Sequence, residues 1–172
     1  MRSIRILAVT LLVACLLSPQ SADAQGSRFH GVVKSGAMLT SLDGMGTPIN
    51  AGLMVGYQLF EGGPYYIDAE FSTSVIKGDV DLGGSSADWG VQTIALFGTY
   101  QSQGKTYWKV RMGVLNENVT ISASGIGISG SDTGMSIGLG AGHTFGFGRL
   151  EVEYMTVEQD IDYLGFGFVI PF

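Results

Sequence analysis

The stretch YLGFGFVIPF, residues 163–172, decides the fold class of this chain. Every second residue in it is large and apolar, and most residues between them are small. Successive side chains of a β-strand point to opposite faces, so this alternation predicts a strand with one apolar face and one narrow face. The large apolar positions are Leu164, Phe166, Phe168, Ile170 and Phe172. The alternation runs unbroken to Phe172, so the whole segment is predicted to be one strand.

The amino-terminal residues have the pattern of a secretory signal peptide. Arg2 and Arg5 precede an apolar run at residues 6–17, and Ala22-Asp23-Ala24 has the small-x-small pattern of a cleavage site. The run is shorter than the ~20 residues that a helix needs to cross a bilayer. We therefore expect residues 1–24 to be a cleaved signal peptide and residues 25–172 to form one domain. The alternative is lipidation of Cys15, because the preceding Leu-Val-Ala resembles a lipobox.

The remaining chain has the pattern of an all-β protein. The sequence contains 27 glycines and 4 prolines, and no helical apolar period is sustained. Short alternating runs separated by turn signals indicate a barrel or sandwich. The predicted strands are roughly 28–41, 49–60, 65–76, 89–100, 106–120, 133–145, 149–158 and 161–172. Short turns at 61–64, 101–105 and 146–148 alternate with longer loops at 42–48, 77–88 and 121–132.

The position of the charges indicates which face of these strands is inside. Charged residues alternate with apolar ones in mid-strand, at Asp68, Glu70, Lys109, Arg111, Glu151 and Glu153. A soluble barrel would place the apolar face inside, with Trp108, Phe166, Phe168 and many other rings in one lumen. An eight-stranded barrel has an interior only just wide enough to be filled by side chains. Bulky residues outside, with small or charged residues inside, fit that volume better, and this favours a barrel in a membrane.

These features resemble the small OmpA/OmpX-like outer-membrane barrels of Gram-negative bacteria. The resemblance covers the chain from about Arg28 to Phe172 and rests on the terminal strand and on the alternation of short and long connections. It implies an eight-stranded antiparallel up-and-down transmembrane β-barrel in the outer membrane, which we expect to be a monomer. It also implies that the assembly machinery of that membrane recognises the last strand, through Phe166, Phe168, Ile170 and Phe172. Pro171 departs from the pattern because it removes a ladder donor, which is tolerable near the end of a strand.

The inward charges predict a network of ion pairs that plugs the lumen. Buried charges need partners, and three bases face four acids there: Lys34, Lys109 and Arg111 with Asp68, Glu70, Glu151 and Glu153. Gly165 and Gly167, on the same face, are predicted to make room for these side chains. A second set of acids is predicted at the outer rim, where Lys77 is the only base: Asp43, Asp79, Asp81, Asp88, Glu117, Asp132, Glu158, Asp160 and Asp162. Solvated loop carboxylates are the preferred interpretation of this rim; capture of divalent cations that bridge to lipopolysaccharide is the alternative.

Motifs that resemble catalytic or cofactor sites have the wrong context here. The G-x-G-x-x-G string at 125–130 and the G-x-S-x-G string at 134–138 need a following helix, and none is predicted. His143 shares its face with Phe145 rather than with a serine, which argues against lipid A modification. His30 and His143 lie far apart in a chain whose one cysteine is in the signal segment, so no metal site is predicted. No cofactor and no nucleic-acid partner is expected.

The predicted function is therefore non-enzymatic. We expect an integral outer-membrane protein with a structural or surface role, in contact with the bilayer and lipopolysaccharide. A narrow porin-like channel for ions or small solutes is the alternative. Adhesion to host factors and lipid A modification rank below both, because the loops are poor in aromatic anchors and the histidine has no serine beside it.

Overall fold

Antiparallel strands make up almost all of the structure. A computed structural model describes residues 28–81, 86–123, 126–158 and 160–171. The predicted signal peptide at 1–24, Cys15 and Phe172 lie outside these residues. Within them no helix is long and apolar enough to cross a membrane. The strands are β1 Phe29–Thr40, β2 Ile49–Gln58, β3 Tyr65–Ile76, β4 Gly78–Asp81, β5 Ser86–Gln101, β6 Thr106–Ala123, β7 Ile126–Phe145, β8 Gly148–Glu158 and β9 Ile161–Pro171.

The sheet closes into an eight-stranded barrel. Each barrel strand pairs antiparallel with the next along the chain, and β9 pairs with β1 from His30↔Pro171 to Thr40↔Ile161. The β3–β5 ladder completes the ring, while β4 pairs with the far end of β5 outside it. The eight predicted segments each coincide with one barrel strand, so the predicted antiparallel up-and-down architecture is confirmed.

The short predicted turns lie together at one end of the barrel, which we call the short-turn end. They join β2 to β3, β5 to β6 and β7 to β8. Gly62 and Gly104 have φ values of 65° and 121°, which L side chains rarely adopt, so these positions favour glycine. The start of β1 and the finish of β9 lie at this same end. The opposite end is called the hairpin end.

Two of the predicted loops are wrong. Residues 78–81 of the predicted loop 77–88 form β4, which pairs with residues 86–89 of β5. Residues 121–123 and 126–132 of the predicted loop 121–132 are strand, because the β6–β7 ladder continues to Ala123↔Ile126. The glycines and serines of residues 126–132 suggested a loop. Pairing of these residues with β6, at positions such as Val119 and Ile121, extends the ladder instead. Strand propensity depends on such cross-strand neighbours more than on composition.

The outward face of the barrel is apolar. Trp108 and Met112 on β6, Leu139 on β7 and Phe166 on β9 are all more than half exposed. The residues that alternate with them, including Lys109 and Arg111, are buried in the lumen. The alternative of a soluble barrel, with its apolar face inside, is therefore wrong.

The lumen also contains large apolar side chains that the sequence did not place there. Trp89, Phe97, Leu115, Met38 and Tyr163 are buried in one cluster, with Val91, Ala95, Met155, Val157 and Ile161. The prediction of a small or charged interior is therefore wrong for this part of the lumen. Residues 94–97 of β5, IALF, are apolar at both parities, so their inward face could not be chosen from periodicity.

Candidate functional site

The seven predicted lumen residues all lie inside the barrel. Lys34 comes from β1, and the other six come in pairs at alternate positions of β3, β6 and β8. Alternate residues of a strand share a face, which is why each pair enters the lumen together. None of the seven is more than 6% exposed: Lys34, Asp68, Glu70, Lys109, Arg111, Glu151 and Glu153.

Two cations and two carboxylates form the centre of this cluster. The Lys34 Nζ lies 2.8 Å from Glu70 Oε2 and 3.1 Å from Glu153 Oε1. The Arg111 Nη1 lies 2.8 Å from the same Glu70 oxygen and 2.7 Å from the same Glu153 oxygen. Each charge therefore has two partners of opposite sign, and these contacts link β1, β3, β6 and β8 across the lumen.

Lys109 extends the cluster toward the short-turn end. Its Nζ lies 2.5 Å from Glu151 Oε2 and 2.7 Å from Glu153 Oε2. Tyr107, which was not predicted as a lumen residue, donates its hydroxyl hydrogen to Glu151 Oε1 over 2.5 Å. Tyr107 alternates with Lys109 and Arg111 on β6, so its parity indicates the inward position. Glu153 thus contacts all three cations and is the most connected member.

Asp68 is the loosest member. The Thr99 hydroxyl donates to its Oδ2 over 2.6 Å, whereas the Arg111 Nε is 3.9 Å away. The Nε2 of His30 lies 3.8 Å from the other carboxylate oxygen. His30 and Thr99 were missed as lumen residues, although His30 has the same parity on β1 as Lys34.

The apolar cluster covers the ion pairs on the side of the hairpin end. The Arg111 guanidinium carbon lies 4.1 Å from the centre of the Phe97 ring. The Lys34 Nζ lies 5.1 Å from the centre of the Tyr163 ring. Cations over aromatic faces are stabilised by the ring quadrupole. The two layers are therefore in direct contact inside the barrel.

Inward glycines provide the clearance for these side chains. A Cβ at Gly140 would lie 2.8 Å from the Lys109 Cε and 2.9 Å from the Val152 carbonyl oxygen. A Cβ at Gly167 would lie 3.0 Å from a Val32 methyl and 3.8 Å from Lys34. At Gly165 the space is taken by the Tyr163 ring rather than by a charged side chain. The predicted role of clearance therefore suits Gly167 better than Gly165.

The residues predicted to be the assembly signal belong to the outward face of β9, not to the lumen. Phe166 is exposed on the outer face and Phe168 and Ile170 share its parity on β9, whereas Phe172 is not described.

Most rim acids lie at the hairpin end, but the Glu117 side chain is buried at 4% exposure. Asp162 accepts a hydrogen bond from the Tyr154 hydroxyl over 2.5 Å, on the outward face.

The residues in the motifs that mimic enzyme sites have structural surroundings. The Nδ1 of His143 lies 2.7 Å from the Thr106 hydroxyl on the outer face, and its ring contacts Phe145. Residues 126–130 and 134–138 of the two glycine motifs are part of β7, with no helix after them. In the part of the chain that the structure describes, no three His, Cys, Asp or Glu residues are grouped to hold a metal ion.

Comparison with known proteins identifies the fold. No protein-family model matches the sequence, and no curated protein matches it. Among solved structures, Neisserial surface protein A has a TM-score of 0.65 at 12% identity, over 85% of this chain and 98% of that one. The attachment invasion locus protein Ail of Yersinia pestis has a TM-score of 0.54 at 13% identity, over 84% and 99%.

A third structure, a major outer membrane protein from Thermus thermophilus, has a TM-score of 0.50 at 14% identity, over 83% and 99%. At such identities the likeness concerns the fold, which agrees with the closed ring of eight strands and the apolar outer face. This chain therefore has the fold of the small, OmpA/OmpX-like eight-stranded outer-membrane β-barrels.

Proposed function

We propose that this protein is an integral outer-membrane barrel with a structural or surface role, a closed lumen and no catalytic activity. The observation that carries the proposal is that two layers of buried side chains lie in contact inside the barrel. Ion pairs among seven residues span it toward the short-turn end, and the apolar cluster around Trp89 and Phe97 lies beyond them. A solute would have to separate both layers to pass.

The outer surface supports insertion in a bilayer. Its aliphatic side chains form a belt, and rings in contact with one another lie at the short-turn end, as in an interfacial aromatic girdle. The ring pairs there are Phe29–Tyr57, Tyr65–Tyr100, Tyr100–Trp108, Phe145–Phe147 and Phe147–Phe168. Outer-membrane barrels have their short turns in the periplasm, so we assign the short-turn end to the periplasm and the hairpin end to the lipopolysaccharide side.

The route to the membrane is part of the same proposal. The signal peptide at residues 1–24 would direct export, and the terminal strand would be recognised by the assembly machinery. Support for the second step comes from β9, where the exposed Phe166 lies in the strand that closes the ring against β1. Before β9 pairs with β1 and closes the barrel, the outward side chains of β9 would be accessible to a receptor.

A narrow channel is the second candidate, and one observation favours it. Polar side chains continue beyond the ion pairs toward the hairpin end, on β2, β3 and β5. The Asn50 amide donates to the Ser72 hydroxyl over 3.3 Å, and Ser72 lies 2.8 Å from the Thr93 hydroxyl. Such a polar stripe beside the apolar cluster could hold a file of water molecules.

Planar-bilayer recording distinguishes the two functions. The closed-lumen proposal expects no single-channel steps from the purified, refolded protein. Phe97→Ala, which removes the ring over Arg111, is the matched variant that opens space in the lumen. Steady steps from the wild-type chain would refute the closed lumen and support the channel. Recovery of the chain in the soluble periplasmic fraction, rather than as a heat-modifiable outer-membrane protein, would refute both.

A further inference from the structure

Two residues with hydrogen-bond donors lie next to each other on the outer face at the short-turn end. His143 is on β7, and Lys105 directly precedes β6, whose ladder with β7 begins at Thr106↔His143. The Thr144 amide donates to the Lys105 carbonyl oxygen over 2.7 Å, and this bond holds the two segments together. Lys105, Thr106 and His143 are all exposed. We call these three residues the donor cluster.

Thr106 decides which nitrogen of His143 is available. Its hydroxyl lies 2.7 Å from the His143 Nδ1. When the hydroxyl donates to Nδ1, the proton of the neutral imidazole is on Nε2, which then acts as a donor. Among the described residues, no hydrogen bond or ion pair uses this Nε2 or the Lys105 ammonium group. Both groups can therefore donate to a ligand.

The other bases at the short-turn end are already engaged. The Arg28 Nε donates to the Gln58 carbonyl oxygen over 3.0 Å, and the same guanidinium donates to the Leu59 carbonyl oxygen. The Arg149 guanidinium carbon lies on the lumen side, 5.6 Å from the centre of the Tyr107 ring. In the part of the chain that the structure describes, the uncommitted basic groups of this end therefore belong to the donor cluster.

The surrounding rings place the donor cluster at the height of lipid headgroups. Trp108 lies toward the middle of the barrel wall, and its ring centre is 5.2 Å from that of Tyr100. Phe145 lies toward the turn, with its ring centre 4.9 Å from that of His143. Tryptophan and tyrosine are enriched at the boundary between the hydrocarbon and the headgroups of a membrane. An anion at this height is the headgroup of a lipid.

The barrel wall is low directly beside His143. Ala141 is the next outward residue of β7, and its cross-strand partners are Trp108 on β6 and Val152 on β8. Both partners have larger side chains than Ala141 and are exposed on the outer face. They leave a shallow notch over the Ala141 methyl group. The first methylene groups of an acyl chain fit there while the phosphate of the same lipid meets the donor cluster.

We propose that the donor cluster binds the phosphate group of an anionic phospholipid, with the His143 Nε2–H and the Lys105 ammonium group as donors. Hydrogen bonds to phosphate are charge-assisted, and a lysine near a lipid surface attracts anionic headgroups. Thr106 is a positioning residue, because its hydroxyl selects the tautomer of His143. The formal net charge of the chain is −6, so a preference for an anionic lipid requires a local site.

The leaflet in which this lipid lies rests on the orientation proposed above, with the short-turn end in the periplasm. The binding itself does not rest on it. The test therefore uses micelles, which have no leaflets, and the full refolded chain in dodecyl maltoside doped with dimyristoyl-phosphatidylglycerol. Native mass spectrometry counts the retained lipids, and the nitrogen NMR shifts of the imidazole report the tautomer of His143.

Two comparisons define the ligand. We expect phosphatidylglycerol to be retained about fivefold more than phosphatidylcholine of the same chain length, which corresponds to about 1 kcal/mol from one lysine near the headgroup. Inorganic phosphate at the same concentration is expected to leave the His143 shifts unchanged, because it has no acyl chain to hold it in the notch.

Three variants and one control assign the binding to the donor cluster. His143→Phe keeps a ring but removes the donor, and Lys105→Gln removes the charge, so each is expected to lower the retention of phosphatidylglycerol severalfold. Thr106→Val removes the hydroxyl at nearly constant shape, and we expect a mixture of His143 tautomers with a smaller loss of lipid. Lys77→Gln removes a base at the hairpin end and is expected to change nothing. A heat-modifiable band verifies that each variant folds.

Any of four results would overturn the proposal. The first is equal retention of the two lipids, and the second is wild-type retention by His143→Phe or Lys105→Gln. The third is a loss in Lys77→Gln as large as that in Lys105→Gln, because it indicates a general effect of charge. The fourth is an equal shift of His143 with inorganic phosphate, which indicates a site for a free anion. None of these results depends on the orientation of the barrel or on whether its lumen conducts.

Discussion

Replacing Glu153 by glutamine is the most direct test of the lumen network. The Glu153 carboxylate contacts three buried cations, at 3.1 Å from the Lys34 Nζ, 2.7 Å from the Lys109 Nζ and 2.7 Å from the Arg111 Nη1. The amide has nearly the same shape, so the substitution removes the charge with little change in packing. Any loss of stability therefore reports electrostatics.

The expected loss follows from the partners that remain. Removing one member of a buried ion pair costs about 3–5 kcal/mol. Lys34 and Arg111 keep Glu70 at 2.8 Å, and Lys109 keeps Glu151 at 2.5 Å. Because each cation retains one carboxylate, we expect the lower value, about 3 kcal/mol. Glu151→Gln affects Lys109 alone among the cations within 4 Å, and the expected loss is about 1.5–3 kcal/mol.

The assay is urea unfolding in lipid vesicles, followed by tryptophan fluorescence. Trp108 is exposed on the outer face, so its emission changes when the chain leaves the lipid. Glu61→Gln, in an exposed turn, is the control and is expected to change stability by less than about 0.5 kcal/mol. Equal denaturant slopes verify that the variants unfold over the same surface.

One outcome refutes the reasoning directly. If Glu153→Gln lies within about 0.5 kcal/mol of Glu61→Gln, the ion pairs do not stabilise the lumen. If Glu153→Gln fails to fold, Glu151→Gln decides, since its smaller expected loss of about 1.5–3 kcal/mol leaves a folded protein to measure. A Glu151→Gln variant that also lies within about 0.5 kcal/mol of Glu61→Gln contradicts the network equally.

Three further predictions concern the wall of the barrel. Leu139→Arg, in the middle of the outer face, should cost about 2–4 kcal/mol in vesicles, whereas Thr133→Arg near the hairpin end should cost about 0–1; equal effects would contradict a bilayer at this surface. Gly140→Ala should cost about 1–3 kcal/mol of folding stability, because the added methyl group forces Lys109 aside. The midpoint of the heat-modifiability transition measures this loss. Gly134→Ala, at a position with open space around it, is the control. Phe166→Ser should lower the assembled fraction in outer membranes more than the yield of refolding in detergent; an equal loss in both would indicate a defect in stability instead.

Much of the fold could be predicted because a barrel strand with an apolar outer face and a polar inner face has a two-residue period, which can be seen within a few residues of sequence. Alternation at Lys109 and Arg111, or at Glu151 and Glu153, shows which side chains share a face without any knowledge of neighbouring strands. Prediction failed where the local pattern was weak. In β5, residues 94–97 are apolar at both parities. In residues 126–132, glycine and serine conceal a strand that is paired with β6.

The sequence by itself determined the number of barrel strands, the turns at the short-turn end and the seven charges that form the ion-pair cluster in the lumen. The tertiary structure alone decided which of them meet, because β1, β3, β6 and β8 approach one another across the lumen according to tilt and shear, which no local pattern encodes. It also decided that Trp89 and Phe97 cover the ion pairs. The length of β7 has the same origin: its ladder with β6 reaches Ile126, whereas its ladder with β8 begins at Gly138, and the length of one strand relative to its neighbour is a property of the sheet.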